Sequence, residues 1–428
     1  MTVSRATARA RVPLYGLLVG YLVSGFGTAM SGIAVPWLVL TTTGSAAATG
    51  LIGFLQMGPY VTAQAVGGPL ADRLGLRRTC LLGNVTAAAA MSAIAILHST
   101  AALDLGALGV LVAIAGAVRG LADASTTPLL PATAKLAGVP NERAAGSYSA
   151  ANRTAMLIGM PLAGVLIAIT SPATVVFLDG MTFVATFVLF AATLPRSLVA
   201  PNSSGRLTLR GYVSDLAEGL RFLRADRLLV GIVITIAGMN LLDEALTSVL
   251  LPVWVRNRLH HAAALGLVGG TLAAGLLGGV LIGAWLGPRL PRHMGYAIGS
   301  LVGGAPVFFA LAASASLPPV LIVCVISGIA GGVVNPIIGA TQFERVPVHL
   351  QARVLGAIKA SAWLGVPLGS LLGGGLAGTV GLGGALLVCG AIMFAITLAP
   401  FVFPVWAELN RAREPRELIS TAATAASD

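Results

Sequence analysis

The sequence predicts an all-α membrane protein: twelve transmembrane helices arranged as two pseudo-symmetric six-helix halves. Three observations predict it. Apolar residues make up 56% of the 428-residue chain and charged residues only 10%, where a soluble domain carries about 25% charge. The apolar residues gather into twelve runs, each near the roughly 20 residues that cross a bilayer core as a helix. A pattern in the first half also returns in the second. Arg153-x5-Gly159-x-Pro161-Leu162 is echoed by Lys359-x5-Gly365-x-Pro367-Leu368 at a constant offset of 206 residues.

The first six runs are Leu14–Leu40, Gly50–Leu70, Thr79–Leu97, Leu105–Leu129, Tyr148–Ile169 and Thr174–Leu194. The second six are Leu228–Leu251, Ala262–Leu286, Met294–Ala313, Leu317–Gln342, Val354–Val380 and Leu382–Val405. The first run follows Arg5, Arg9 and Arg11. It is too long for the apolar core of a signal peptide and reads as a span that stays. Frequent glycine (54 residues) without a collagen-like period suits helices that pack through small residues. Gly266/Gly270, Gly275/Gly279/Gly283/Gly287 and Gly369/Gly373 have that spacing.

Between the halves, Pro195–Arg227 is the one long polar stretch. It holds P-N-S-S-G and then Leu209–Leu223, where apolar positions recur at helical spacing among charges. This reads as a linker with a short amphipathic helix on the membrane surface. The organisation is therefore an N-terminal six-helix half over residues 1–195 and a cytoplasmic linker over 196–227. A C-terminal half follows over 228–406, then a polar, disordered tail over 407–428.

Basic loops set the orientation. With the amino terminus inside, the inner side holds Arg73, Arg77, Arg78, Lys135, Arg143, the arginines from Arg196 to Arg227, Arg289, Arg292, Arg345, Arg353, Arg411, Arg413 and Arg416. The outside holds only Arg256 and Arg258. The expectation is a multi-pass protein of the cell membrane with both termini cytoplasmic. This clustering in loops also explains the net charge of +11 without a nucleic-acid partner.

Several chemistries are excluded. The three cysteines are far apart in or near apolar runs, and of five histidines only His260 and His261 are adjacent, so no metal set is visible. Neither Lys135 nor Lys359, the only lysines, stands in a G-K-[ST] phosphate loop, which disfavours an ATP-driven pump. No catalytic constellation marks an enzyme.

The loop between the second and third runs reads G-P-L-A-D-R-L-G-L-R-R from Gly68 to Arg78. A cluster of one Asp and three Arg belongs at a membrane surface, not in hydrocarbon. It closely resembles the signature G-x-L-A-D-R-x-G-R-R of the major facilitator superfamily. The resemblance implies that Gly68, Asp72, Arg73, Gly75, Arg77 and Arg78 form a gating loop that holds the two halves closed on the cytoplasmic side. The echo after segment 8 has Gly287 where the Asp would stand, so a second gate there is weaker or absent.

Two further motifs point within that family. Gly159-Met-Pro161-Leu-Ala-Gly164 in segment 5 resembles the exporter-associated G-P-x-x-G-G, with Met inserted and one Gly missing. The run K-L-A-G-V-P-N-E-R-A-A-G-S-Y-S-A-A-N, ending at Asn152, resembles the macrolide- and enterobactin-exporter branch, as does the stretch Val346–Gly356. These resemblances imply drug:proton antiport.

Intramembrane charges are functional candidates by default. Arg119 and Asp123 stand four apart on one face of segment 4, as a proton-coupling site or a structural pair. Asp243 and Glu244, beside Asn240, lie deeper in segment 7 with no Arg or Lys within helical reach. Adjacent residues point in different directions, so at most one faces a central cavity. Asp179 in segment 6 is expected near the outer face, within reach of headgroups.

The leading expectation is proton-coupled export of amphipathic or lipophilic small molecules, with the site between the halves near the midplane. The partners are substrate, protons and lipid. The protein acts as a monomer without a cofactor. The segment 7 acids are better placed to carry the proton, and Asp123, beside a cation, to hold geometry. The alternative is an importer or uniporter of a polar nutrient such as a sugar. Few amides serve it: Gln56, Gln64, Asn84, Asn240 and Asn335.

Overall fold

The computed structural model describes residues 2–196, 209–286 and 291–410. Asn202–Gly205, Gly287 and the tail from residue 411 lie outside the described residues, as do the side chains of Asp72 and Arg73. Six long helices form the first half: α1 (Thr2–Thr43), α2 (Ala46–Leu74), α3 (Leu76–Ser99), α4 (Leu105–Ala137), α5 (Asn141–Ile169) and α6 (Pro172–Thr193). Short polar side chains start three of them: Ser45, Asp104 and Ser171 each accept a backbone N–H of the first turn. Gly75, at φ 88°, separates α2 from α3, and Gly138, at φ 65°, ends α4.

In the second half, after α7 (Leu209–Ala225), three of the expected continuous spans are divided. Segment 7 is α8 (Arg227–Ala245), a π-helical turn over Leu246–Leu250 and α9 (Leu251–Arg258). Segment 8 is α10 (Ala263–Leu286). Segment 9 breaks at Gly304 into α11 (Arg292–Gly303) and α12 (Ala305–Ala313), just before Pro306. Segment 10 is α13 (Leu317–Arg345). Segment 11 is α14 (Gln351–Trp363) and α15 (Val366–Thr379), divided where Pro367 removes a donor. Segment 12 is α16 (Gly381–Val402). Among the described residues, eleven helical stretches are long and apolar enough to cross a membrane, and α2, the more polar twelfth, completes the bundle.

An even number of crossings puts the first and last helices' outer ends and α7 at one end of the bundle, called here the terminal end. In the first half α1 packs on α5 and α6, α2 on α4, and α3 on α4 and α6. In the second, α10 and α11 pack on α13, α12 on α16, and α15 on α8. The amphipathic helix α7 is more firmly placed than a helix resting on lipid. Gly219 lies against the backbone of Arg353, Glu218 pairs with Arg353 at 2.6 Å, and Leu223 is buried with Leu229, Val354 and Ile358. The linker helix is thus docked on the second half.

A charged clasp closes the terminal end of that half. Arg345, 6% exposed, donates to both oxygens of Asp226 at 2.9 and 2.7 Å and to Glu408 at 2.7 Å. Asp226 also caps α8 by accepting from the N–H groups of Leu228 and Leu229. One guanidinium therefore joins the ends of α13 and α8 and the 3₁₀ turn Pro404–Asn410.

The two halves meet at the far end, opposite the termini, through two related crossings and through Leu40 of α1 packed on Val249 and Val253. In one, Gly164 of α5 faces Gly266 of α10, so closely that a Cβ on Gly266 would fall 2.7 Å from the Met160 carbonyl. In the other, Gly50 of α2 faces Gly374 of α15, where an added Cβ would fall 2.9 Å from the Ala46 carbonyl. Toward the terminal end Asn141–Ser147 on α5 are almost all exposed, and so are Gly356 and Lys359 on α14.

Candidate transport site

At mid-depth in the first half, α1, α2, α4 and α5 converge on one polar cluster. The Tyr60 hydroxyl donates to Asp123 at 3.0 Å, and Gln64 donates to the Tyr60 hydroxyl at 3.1 Å. The nearest Arg119 nitrogen, Nε, is 3.9 Å from Asp123, and its guanidinium lies over the Tyr60 ring at 5.2 Å. A cation over an aromatic face is attracted by the ring quadrupole. Tyr21 and Tyr148 complete the group with ring centroids 4.2 Å apart. Arg119 and Asp123 thus share a face as the spacing predicts, but the tightest partner of the carboxylate is a tyrosine.

The cluster borders a cavity of about 30 Å³, lined by Tyr21, Asn84, Arg119, Asp123 and Phe183 among others. That is room for about one water beside polar groups. Asp179 corrects an expectation. It is 1% exposed, not at the headgroups, and accepts from Ser31 of α1 at 2.6 Å. Gly27 leaves the room for it, since a side chain there would meet Asp179 and Thr182. Asp179 therefore ties α6 to α1.

The two acids of α8 diverge, as adjacent helix positions must. Asp243 is exposed together with Thr247 one turn on, and among the described residues its carboxylate has no ion pair or hydrogen bond. This strip is turned away from α16, against which Gly238 packs. Glu244 points instead toward α15, accepting from Ser248 at 3.0 Å and Ser370 at 3.1 Å. Asn240 donates to the Ala362 carbonyl at 3.0 Å, joining α8 to the end of α14.

The loop and segment 5 motifs are placed as follows. Arg77 donates to the carbonyls of Leu194 and Ala191 at 2.8 Å each, closing the end of α6, where a cation also complements the helix dipole. Gly68 is half-buried and Arg78 exposed. In the exporter-like motif, Gly159 packs on Ala29 and Phe26 within the first half. Pro161 and Gly164 face Gly270 and Gly266 across the halves.

Sequence reasoning did not name Tyr21, Tyr60, Tyr148, Ser248, Ser370 or Arg345's role. Two signals were present. Tyr60 and Gln64 stand four apart in a span, and Ser370 lies at the same 206-residue offset from Gly164 as the segment 5 repeat.

These features define a two-half helical membrane protein with polar clusters held among its spans. The sequence profile of the Major Facilitator Superfamily matches residues 17–358 and again 233–426, and the chain belongs to that family of membrane transporters. It is 29% identical over 408 residues to the multidrug efflux pump Tap of Mycobacterium tuberculosis, covering 94% of this chain and 96% of that one. To Tap of Mycolicibacterium fortuitum it is 27% identical, covering 96% and 100%. Among solved structures, the nucleoside transporter NupG superposes with a TM-score of 0.70 at 12% identity, covering 91% and 99%. A POT family transporter superposes with a TM-score of 0.71 at 14% identity, covering 93% and 96%.

Proposed function

We propose that this transporter exports amphipathic or lipophilic small molecules across the cell membrane in exchange for protons, by alternating access, with both termini in the cytoplasm. The observation that carries export is the match to two multidrug efflux pumps over nearly their whole length. Proton exchange is supported by Asp243, an exposed carboxylate within a membrane span that is unpaired among the described residues. Moving one proton inward down 100 mV releases about 2.3 kcal/mol. A carboxylate that is loaded when the site faces out and emptied when it faces in can use that energy to move substrate out. Asp123, held by Tyr60 and near Arg119, keeps the first-half surface in shape. No cofactor and no covalent step is involved, and a monomer contains the whole path.

The nutrient importer finds less support. Asn84 bonds the Cys80 carbonyl and Asn240 the Ala362 carbonyl, so these amides serve helices and not a sugar. The test is efflux of a drug panel from cells expressing the protein, with and without a protonophore. Export that stops on uncoupling is the expected result. Export that persists at full rate contradicts proton coupling, and sugar uptake without drug export contradicts the whole reading.

A further inference from the structure

Glu244 stands at the seam between the halves. Its Oε1 accepts from Ser248 at 3.0 Å and Ser370 at 3.1 Å, and the two serine oxygens are 3.2 Å apart. Ser370 is also the residue on which α2 docks. A Cβ on Gly53 would fall 2.8 Å from the Ser370 hydroxyl and 3.7 Å from the Ser248 Cβ, and Gly50 meets the Ser370 backbone. The acid is thus one hydroxyl away from the other half of the molecule.

Among the described residues its surroundings hold no counter-ion. Asp, Glu, His, Lys and Arg are absent from α15, from α16, and from α2 before Asp72. On α2 the first titratable side chain is Tyr60, two turns deeper than Gly53, and on α16 it is Cys389. On α1 only tyrosines occur beyond Arg11. Arg256 and Arg258 of α9 lie at the far rim, more than three turns beyond Glu244. Lys359 and Arg353 of α14, and the charges of α7, lie toward the terminal end. Asp243, the neighbour on its own helix, lies on a different face and is exposed. An ionised carboxylate buried with only hydroxyl partners is costly, and the same group in water is not.

The helix is also irregular here. The π turn Leu246–Leu250 begins two residues after Glu244, and Ser248 within it donates to the Glu244 carbonyl at 2.5 Å as well as to its carboxylate. A single π turn inside a helix often marks a functional site. The matching position of the other crossing is Gly164, which meets Gly266 through backbone alone. Of the two far-end crossings, this one carries an acid.

We infer that Glu244 is the proton switch of the far-end contact between α2 and α15. It is neutral while that contact is closed; once its proton has passed by way of Asp243 to the cleft and the terminal side, it is ionised, α2 withdraws and water enters. A proton taken from the far side closes the contact. Asp243, one residue earlier, exchanges with the cleft. Two adjacent acids then serve opposite faces of the membrane. The inference rests on the proton-exchange reading above and divides its labour.

The experiment places spin labels at Ala47→Cys and Thr379→Cys, on α2 and α15 at the far end. Full-length protein in lipid nanodiscs is measured by pulsed dipolar spectroscopy at mildly acidic and mildly alkaline pH. Wild type is expected to show the short distance at acidic pH and to gain a longer one at alkaline pH. Glu244→Gln should keep the short distance at both, losing the response, while Asp243→Asn retains it. Ser370→Ala, lacking the partner on α15, should show more of the longer distance at acidic pH. A pH response in Glu244→Gln equal to wild type, or none in wild type, overturns the switch. Ethidium accumulation driven by a pH gradient in wild-type vesicles is measured in parallel. Its absence counts against proton exchange itself, whatever the labels report.

Discussion

Gly164 on α5 and Ser370 on α15 stand 206 residues apart and occupy equivalent places in the two crossings that join the halves. Gly164 meets Gly266 of α10, and Ser370 meets Gly50 and Gly53 of α2. The repeat seen in the sequence is therefore a repeat of contacts. Gly164→Leu should insert normally and fail to close at the far end, since forcing a side chain into a packed contact costs about 1–3 kcal/mol. Cross-linking of cysteines placed at the far ends of α5 and α10 should drop, and drug export with it. Unchanged cross-linking would mean that this crossing is looser than it stands here.

The clasp at Arg345 predicts a stability effect. Removing one partner of a buried ion pair costs about 3–5 kcal/mol because the other charge is left uncompensated. Arg345→Ala takes away the cation that Asp226 and Glu408 share, so its unfolding temperature in detergent should fall sharply. Arg353→Ala breaks the exposed pair with Glu218 and should shift it little, since such pairs contribute about 0–1 kcal/mol. Equal shifts in the two variants would contradict the assignment of the clasp.

The gating loop predicts a functional effect without loss of topology. Asp72→Asn keeps every basic residue that orients the chain. Insertion should be preserved, the population open toward the terminal end should rise, and transport should fall severely. Wild-type transport in this variant would remove the gating role.

Cleavage of the linker tests the two-half organisation. Proteolysis within Asn202–Gly205 should leave two fragments that run together on a sizing column in detergent. The packed crossings at Gly164/Gly266 and Gly50/Gly374 hold them, and α7 stays with the second half through Glu218, Gly219 and Leu223. Fragments that separate would show that the crossings alone are too weak.

Most of the architecture was legible because it follows from solvent. A bilayer demands long apolar helices, and those read directly, down to the amphipathic Leu209–Leu223 inside α7. The breaks at Leu246–Leu250 and Gly304 were not legible, since local glycine and proline permit a bend without dictating one. Pro161 lies inside the unbroken α5, whereas its repeat partner Pro367 stands at the start of a new helix. The acids were legible as residues that hydrocarbon would reject. Their partners were not. Tyr60 reaches Asp123 across 63 residues of sequence and Ser370 reaches Glu244 across 126. Asp179 was misplaced because its depth along α6 says nothing of the groove in α1, made by Gly27 and Ser31, that receives it.

The central claim is that the α8 acids carry the transported proton while Asp123 holds geometry. It is tested most directly in proteoliposomes where a pH difference is the only driving force, with accumulation of a fluorescent drug as readout. The double variant Asp243→Asn with Glu244→Gln should bind the drug and fail to accumulate it. Asp123→Asn should instead lose binding or folding. If the double variant still concentrates the drug against its gradient, the assignment is wrong and Asp123 becomes the leading proton carrier.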